Sequence, residues 1–232
     1  MPKAIRGNTV KYTGTNQGKY AFHFVGDTLR DGRPIPADGV WLEHDGEIKI
    51  CESGLHASWE VADALIYAPR GTLCLVEVDG IAEKQSDKLV ARRRKIIARF
   101  DATDLLFADA RESAKSVLKN WKTPVPQVVL DWLNTGDVRY KAGAHRAARS
   151  AAHRAPRSAA YFAARSAAIS AAISAAGSAA DFVACFAARF AAGSAAGSAA
   201  GSAARSATRS AARKRLHYAV MAKFEEMGVI SK

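Results

Sequence analysis

From His145 to Ala212 the chain is written in blocks of four, and this period limits what the stretch can fold into. Seventeen consecutive blocks follow an x-Ser-Ala-Ala pattern, with variants such as HRAA, YFAA, DFVA and RFAA. Alanine is the strongest helix former, so the local preference is helical. Each block of four overshoots a full helical turn by about 40°, and a column of side chains winds around the helix in about nine blocks. One straight partner cannot follow such a column. Either the helices supercoil right-handedly or the array is cut into shorter pieces. Pro156, Gly177, Gly193, Gly197 and Gly201 favour cutting. A β reading of Gly-Ser-Ala-Ala competes weakly, because alanine and glycine are poor strand formers. A low-charge alanine tract also lacks the usual signature of disorder.

Within the array, Phe182, Phe186 and Phe190 recur at helical spacing and are expected to anchor its packing. Gly193, Gly197 and Gly201 form a ladder of small residues along which another helix backbone could approach closely. Beyond the repeat, Leu216, Ala219, Val220, Phe224 and Met227 outline an amphipathic helix, with Gly228 as its C-terminal stop. This helix is expected to pack back on the array or on the N-terminal domain.

Charge divides the chain in the same place. Residues 1–140 carry 20 Lys/Arg and 19 Asp/Glu, whereas 141–232 carry 14 Lys/Arg and 3 Asp/Glu. A near-neutral domain (1–140) followed by a basic segment (141–232) implies an anionic partner. Arg146, Arg149, Arg154, Arg157 and Arg165 precede an almost uncharged middle; Arg205, Arg209, Arg213, Lys214 and Arg215 follow it. Folding back near residue 183 would gather both clusters at one end. Few acidic residues in the segment can pair with them, so most of these charges are expected to face a partner. No aromatic residues alternate with the arginines, so any nucleic-acid contact would be to phosphates and tolerant of sequence.

The first 140 residues read as α+β. Val40–Glu43 and Glu47–Cys51 flank His44-Asp45-Gly46, a hairpin signal. Ser58 is positioned to cap a helix running to about Tyr67. Thr72–Val78 reads as a strand ending at Asp79-Gly80, and Lys95–Phe100 as another. Thr103 is placed to cap a long helix with Leu105, Leu106, Ala110, Val117, Leu118 and Trp121 on its apolar side. After Pro124 and Pro126, a short helix, Gln127–Leu133, should stop before Gly136. The fold expected is therefore a small α+β domain followed by an alanine-rich helical array.

Catalytic signals are sparse. Cys51 and His56 are close enough in sequence to form a thiol–imidazole pair across a turn. The bland alternative is a histidine that bonds to the turn backbone. Glu77 and Asp79 share a strand face, and with Arg70 or His56 they could serve nucleotide transfer. His23, His44, His56 and Glu43 lack metal-ligand spacing. There is no phosphate-binding glycine loop, and no metal or cofactor is implied. Three widely spaced cysteines, Cys51, Cys74 and Cys185, do not make a disulfide framework. No leader is visible, and the longest uncharged stretches are too short and polar for a membrane span, so a cytoplasmic, non-membrane protein is expected.

The Cys51–Ser58 stretch (Cys-Glu-Ser-Gly-Leu-His-Ala-Ser), followed by Trp59 through Tyr67, resembles a group of phage and prophage proteins. Those proteins also run into alanine-rich tetrads and finish with a basic-then-apolar helix, as Arg213–Met227 does here. The resemblance implies a mobile-element setting and supplies no catalytic residues. The function expected is non-enzymatic binding of nucleic acid or an acidic host-protein surface through the arginine-rich face, in a way that inhibits a host defence complex. The alternatives are a nucleotide-modifying or transferase-type enzyme centred on His56, and self-assembly through the small-residue ladder.

Overall fold

The computed structural model describes residues 10–11, 19–118, 124–154 and 210–231. An α+β N-terminal region is followed by an all-α region. The strands are β1 (Val10–Lys11), β2 (Tyr20–Val25), β3 (Trp41–Glu43), β4 (Leu55–Ala57), β5 (Thr72–Lys84), β6 (Leu89–Asp101) and β7 (Ile230–Ser231). The helices are α1 (Val61–Ala64), α2 (Thr103–Val117), α3 (Gln127–Thr135), α4 (Val138–Arg154) and α5, helical over 210–226. Among the described residues no helix is long and apolar enough to cross a membrane.

Two compact units result: residues 1–103 with 216–232, and residues 104–215. The change in composition falls at 140/141, but packing divides the chain elsewhere. Leu216, Val220 and Phe224 of α5 are fully buried. Phe224 meets Phe100 of β6 edge-to-face at 5.1 Å, and His217 meets Phe22 of β2 at 5.7 Å. The apolar stripe of the last helix therefore completes the core of the first unit. Gly228 ends that helix at φ +71, as its position predicts. β7 then pairs in parallel with β1.

The sheet of the first unit is antiparallel, in the order β2-β5-β6-β3, with β4 also on β6. Just past β4, Ser58 exchanges backbone hydrogen bonds of 2.8 and 2.9 Å with Phe22 of β2, so the strands nearly form a closed circuit. Alternation along β2 sends Phe22 and Phe24 to one face and Ala21, His23 and Val25 to the other. Ala21 and Val25 join Cys74, Val76, Val78, Ala91 and Ile96 in a buried cluster.

Several local readings change. Residues 47–51 form no strand: Ser53 Oγ donates to the Glu47 carbonyl at 2.7 Å and closes a turn, while β3 pairs with β6. β5 does not end at Asp79-Gly80. Gly80 adopts φ +64 next to a bulge between Ile81 and Glu83, and pairing with β6 continues to Lys84. Ser58 is committed to Phe22, so α1 begins without it, at Val61 after Glu60. Asp101, rather than Thr103, satisfies the start of α2, accepting the Thr103 N–H at 2.9 Å.

In the second unit, Ala114, Val129, Trp132, Leu133 and Ala144 form the core. Gly136 ends α3 at φ +68, donating its N–H to the Trp132 carbonyl at 2.8 Å. Arg215 is drawn inward: Nε lies 2.9 Å from buried Asp109, and Nη2 donates to Ser113 Oγ at 2.7 Å. α4 carries a helical backbone into the tetrads as far as Arg154.

Candidate ligand cavity

A cavity of about 900 Å³ opens in the first unit. Its wall brings together residues far apart in sequence: His23 from β2, Arg30 and Arg33 from the following loop, His44 after β3, Cys51 and His56 around β4, Lys88 at the β5–β6 turn and Arg94 from β6. Apolar side chains, including Leu29, Ile35, Leu42 and Leu55, line much of the remainder.

Arg94 is the unusual member. It stands between Val90 and Ile96 on the inward side of β6 and is only 6% exposed. Its Nη1 donates to the backbone carbonyl of His56. Among the described residues no carboxylate faces it, and burial pushes its guanidinium down to about 10. A guanidinium withdrawn from water without a counter-charge is costly unless another anion compensates it. His23 feels the same field. Burial first, then Arg94 and His56, push its imidazole well below the ordinary value, so it is neutral near pH 7.

His56 is occupied by the main chain. Its Nε2 accepts the Cys51 N–H at 2.9 Å, which assigns the ring proton to Nδ1. Burial lowers its proton affinity; a hydrogen bond with the Gly54 backbone opposes this, and Arg94, Lys88 and Arg30 lower it further. The ring holds a tight turn in which Cys51 takes φ +71, an uncommon conformation outside glycine. The histidine thus takes the alternative weighed from the sequence, a bond to the turn backbone, in place of a thiol–imidazole pair. The polar neighbours of the exposed Cys51 thiol and of the Tyr67 hydroxyl include Lys88, whose ammonium both raise.

Glu77 lies apart from this group. It bonds Lys95 at 2.8 Å and Lys19 at 3.2 Å. Burial pulls its carboxyl up, but the two lysines outweigh that and hold it below the usual range. Asp79 pairs with Arg93 at 3.3 Å and Arg70 with Asp27 at 2.8 Å, so the shared acid/base arrangement does not form. His44 Nε2 bonds the Glu47 carbonyl at 3.1 Å, and no group of three or more metal-binding side chains forms among the described residues.

Of the basic positions in the C-terminal segment, Arg146 and Lys214 are exposed and Arg213 is half-buried. Arg215 is engaged by Asp109, contrary to the expectation of unpaired charge. The side chains of Arg149 and Arg154, together with Arg157, Arg165, Arg205 and Arg209, lie outside the described residues. So do Phe182, Phe186, Phe190, Gly193, Gly197 and Gly201.

Arg94, Arg30 and Lys88 were not singled out by sequence, and His23 was weighed only as a metal ligand. The signal was alternation within the basic run: Arg94, opposite Val78, shares the face of buried Val76 and Ile96, while Arg93 and Lys95 take the other face. No curated protein and no solved structure matches the chain. Residues 20–108, a span that holds every residue lining the cavity, match the family described as a domain of unknown function (DUF7666).

Proposed function

We propose that the N-terminal domain binds a small organic anion in this cavity. The observation that supports the reading is Arg94, a buried guanidinium whose acceptor among the described residues is one backbone carbonyl. The acids in the wall are already engaged: Asp31 with Arg33 at 2.7 Å, and Glu52 with Lys49 at 2.8 Å. An anion entering the cavity would supply the missing counter-charge. Titrating the ¹⁵N-labelled full chain with benzoate and with inorganic phosphate tests this. The Arg94 Nε–H and Cys51 N–H resonances are expected to move together and saturate. If neither anion moves them, the reading fails.

The basic segment supports a second reading: docking on nucleic acid or an acidic protein surface. Residues 141–232 hold 14 Lys/Arg against 3 Asp/Glu, and Arg146 and Lys214 are exposed. The resemblance to phage proteins gives that docking a setting, the inhibition of a host complex. Anisotropy of a labelled DNA duplex is expected to fall steeply between about 50 and 200 mM salt through counterion release. Replacing Arg146, Arg149, Arg154, Arg157, Arg165, Arg205, Arg209, Arg213 and Lys214 together with glutamine should abolish the binding. Salt-independent binding, or binding that survives the replacement, would refute it.

A further inference from the structure

We infer that the cavity ligand carries a phosphoryl group on an apolar or aromatic body, making it a phosphate ester of about nucleotide size. This rests on the anion-binding reading above and adds the class of anion.

Charge comes first. Arg94, Lys88 and Arg30, from β6, the β5–β6 turn and the loop after β2, line the same cavity as His56, so three permanent cations share one wall. Arg30 makes no hydrogen bond or ion pair among the described residues. Lys88 has the Tyr67 hydroxyl at 3.3 Å and the Cys51 thiol, both uncharged in their ordinary state. A carboxylate would bring one negative charge to three cations. A phosphate monoester brings about −1.5 to −2 at pH 7, and three acceptor oxygens to divide among them. The fork of Arg94 is suited to two of those oxygens at once. His23, neutral and beside Arg94, is placed to donate a further hydrogen bond or to take up a proton as the dianion arrives.

Size comes second. About 900 Å³ is far more than inorganic phosphate fills and falls within the range of pockets that enclose whole organic ligands. Leu29, Ile35, Leu42 and Leu55 offer apolar wall where a charged head alone would leave wetted hydrocarbon. The two features together select a phosphorylated molecule with a ring or hydrocarbon portion.

Calorimetry on the full chain separates the parts of this inference, using phenyl phosphate, benzoate, inorganic phosphate, adenosine 5′-monophosphate and adenosine. The two phosphate esters are expected to bind at least about tenfold more tightly than benzoate, inorganic phosphate or adenosine, consistent with charge-assisted contacts added to apolar burial. Arg94→Met should abolish ester binding while the unliganded protein unfolds at the same temperature or higher, because an uncompensated buried charge is gone. Arg94→Lys, which keeps the charge without the fork, should weaken it. Lys88→Gln and Arg30→Gln should each weaken phenyl phosphate more than benzoate.

Equal affinity for benzoate and phenyl phosphate would overturn the phosphoryl assignment and leave the anion site standing. Equal affinity for inorganic phosphate and the esters would overturn the organic body. If no probe binds the wild-type chain, both this inference and the reading beneath it fall.

Discussion

Replacing Phe224 with alanine tests whether the C-terminal helix belongs to the N-terminal fold. Phe224 has no exposed surface, is flanked on α5 by the equally buried Val220, and contacts Phe100 edge-to-face at 5.1 Å. Truncating a core phenylalanine costs about 3–5 kcal/mol, including the cavity left behind. The aromatic pair puts this site toward the middle or upper part of that range, about 4 kcal/mol. For a domain of this size the unfolding temperature should drop by roughly 15 °C. Hydrogen exchange read peptide by peptide isolates the effect from the second unit. Protection of the β5 and β6 amides should fall by about a thousandfold, the ratio equivalent to 4 kcal/mol. Tyr218→Ala, at an exposed position on the same helix, should leave protection within a few-fold. If Phe224→Ala speeds exchange only within 210–226 and spares β5 and β6, the helix is an accessory of the repeat and the packing argument is wrong.

Other outcomes can be checked with less effort. Burial pushes the Cys74 thiol up to about 12, so in the native protein it should resist iodoacetamide at pH 8 while exposed Cys51 reacts; early labelling of Cys74, read by peptide mass spectrometry, contradicts this. His23 and His56 are held below their ordinary proton affinity, burial being the first cause for each. The unfolded chain therefore takes up protons near pH 6.5 that the fold resists, so this contribution is present above pH 6.5 and is lost as pH falls. Urea midpoints should be lower at pH 5.5 than at pH 7.5, with a smaller difference in His23→Asn; a midpoint that rises on acidification would count against neutral imidazoles. Arg215→Met should destabilise the second unit by about 2 kcal/mol, because Asp109 loses a charge-assisted bond in a buried position. Exchange at the α2 and α3 amides reads that loss, and no change would mean the pair contributes nothing to stability.

What the sequence disclosed follows the reach of the forces involved. Leu216, Val220 and Phe224 lie on one helical stripe, and Gly136 and Gly228 punctuate helices, because spacing and backbone freedom are local properties. Gly80 misled because the same positive φ serves a turn or a bulge, and only the partner strand decides between them. His56 stood out as a catalytic candidate; in the structure its Nε2 accepts the Cys51 N–H and holds a turn. Arg94 was hidden inside Arg92-Arg93-Arg94-Lys95, which looks like a uniformly solvated run. On a strand its members alternate: Arg93 and Lys95 each come within 4.5 Å of the Trp41 ring, while Arg94 turns inward. Arg215 could not be assigned locally at all, since its partner Asp109 is 106 positions away.

The pairing of β1 with β7 ties the chain near its tenth residue to the chain near its two-hundred-and-thirtieth. A truncation that stops within the tetrads after Arg154 therefore takes away more than the tetrads: it removes a strand pairing and the buried side chains of Leu216, Val220 and Phe224, and the first unit should lose stability with them.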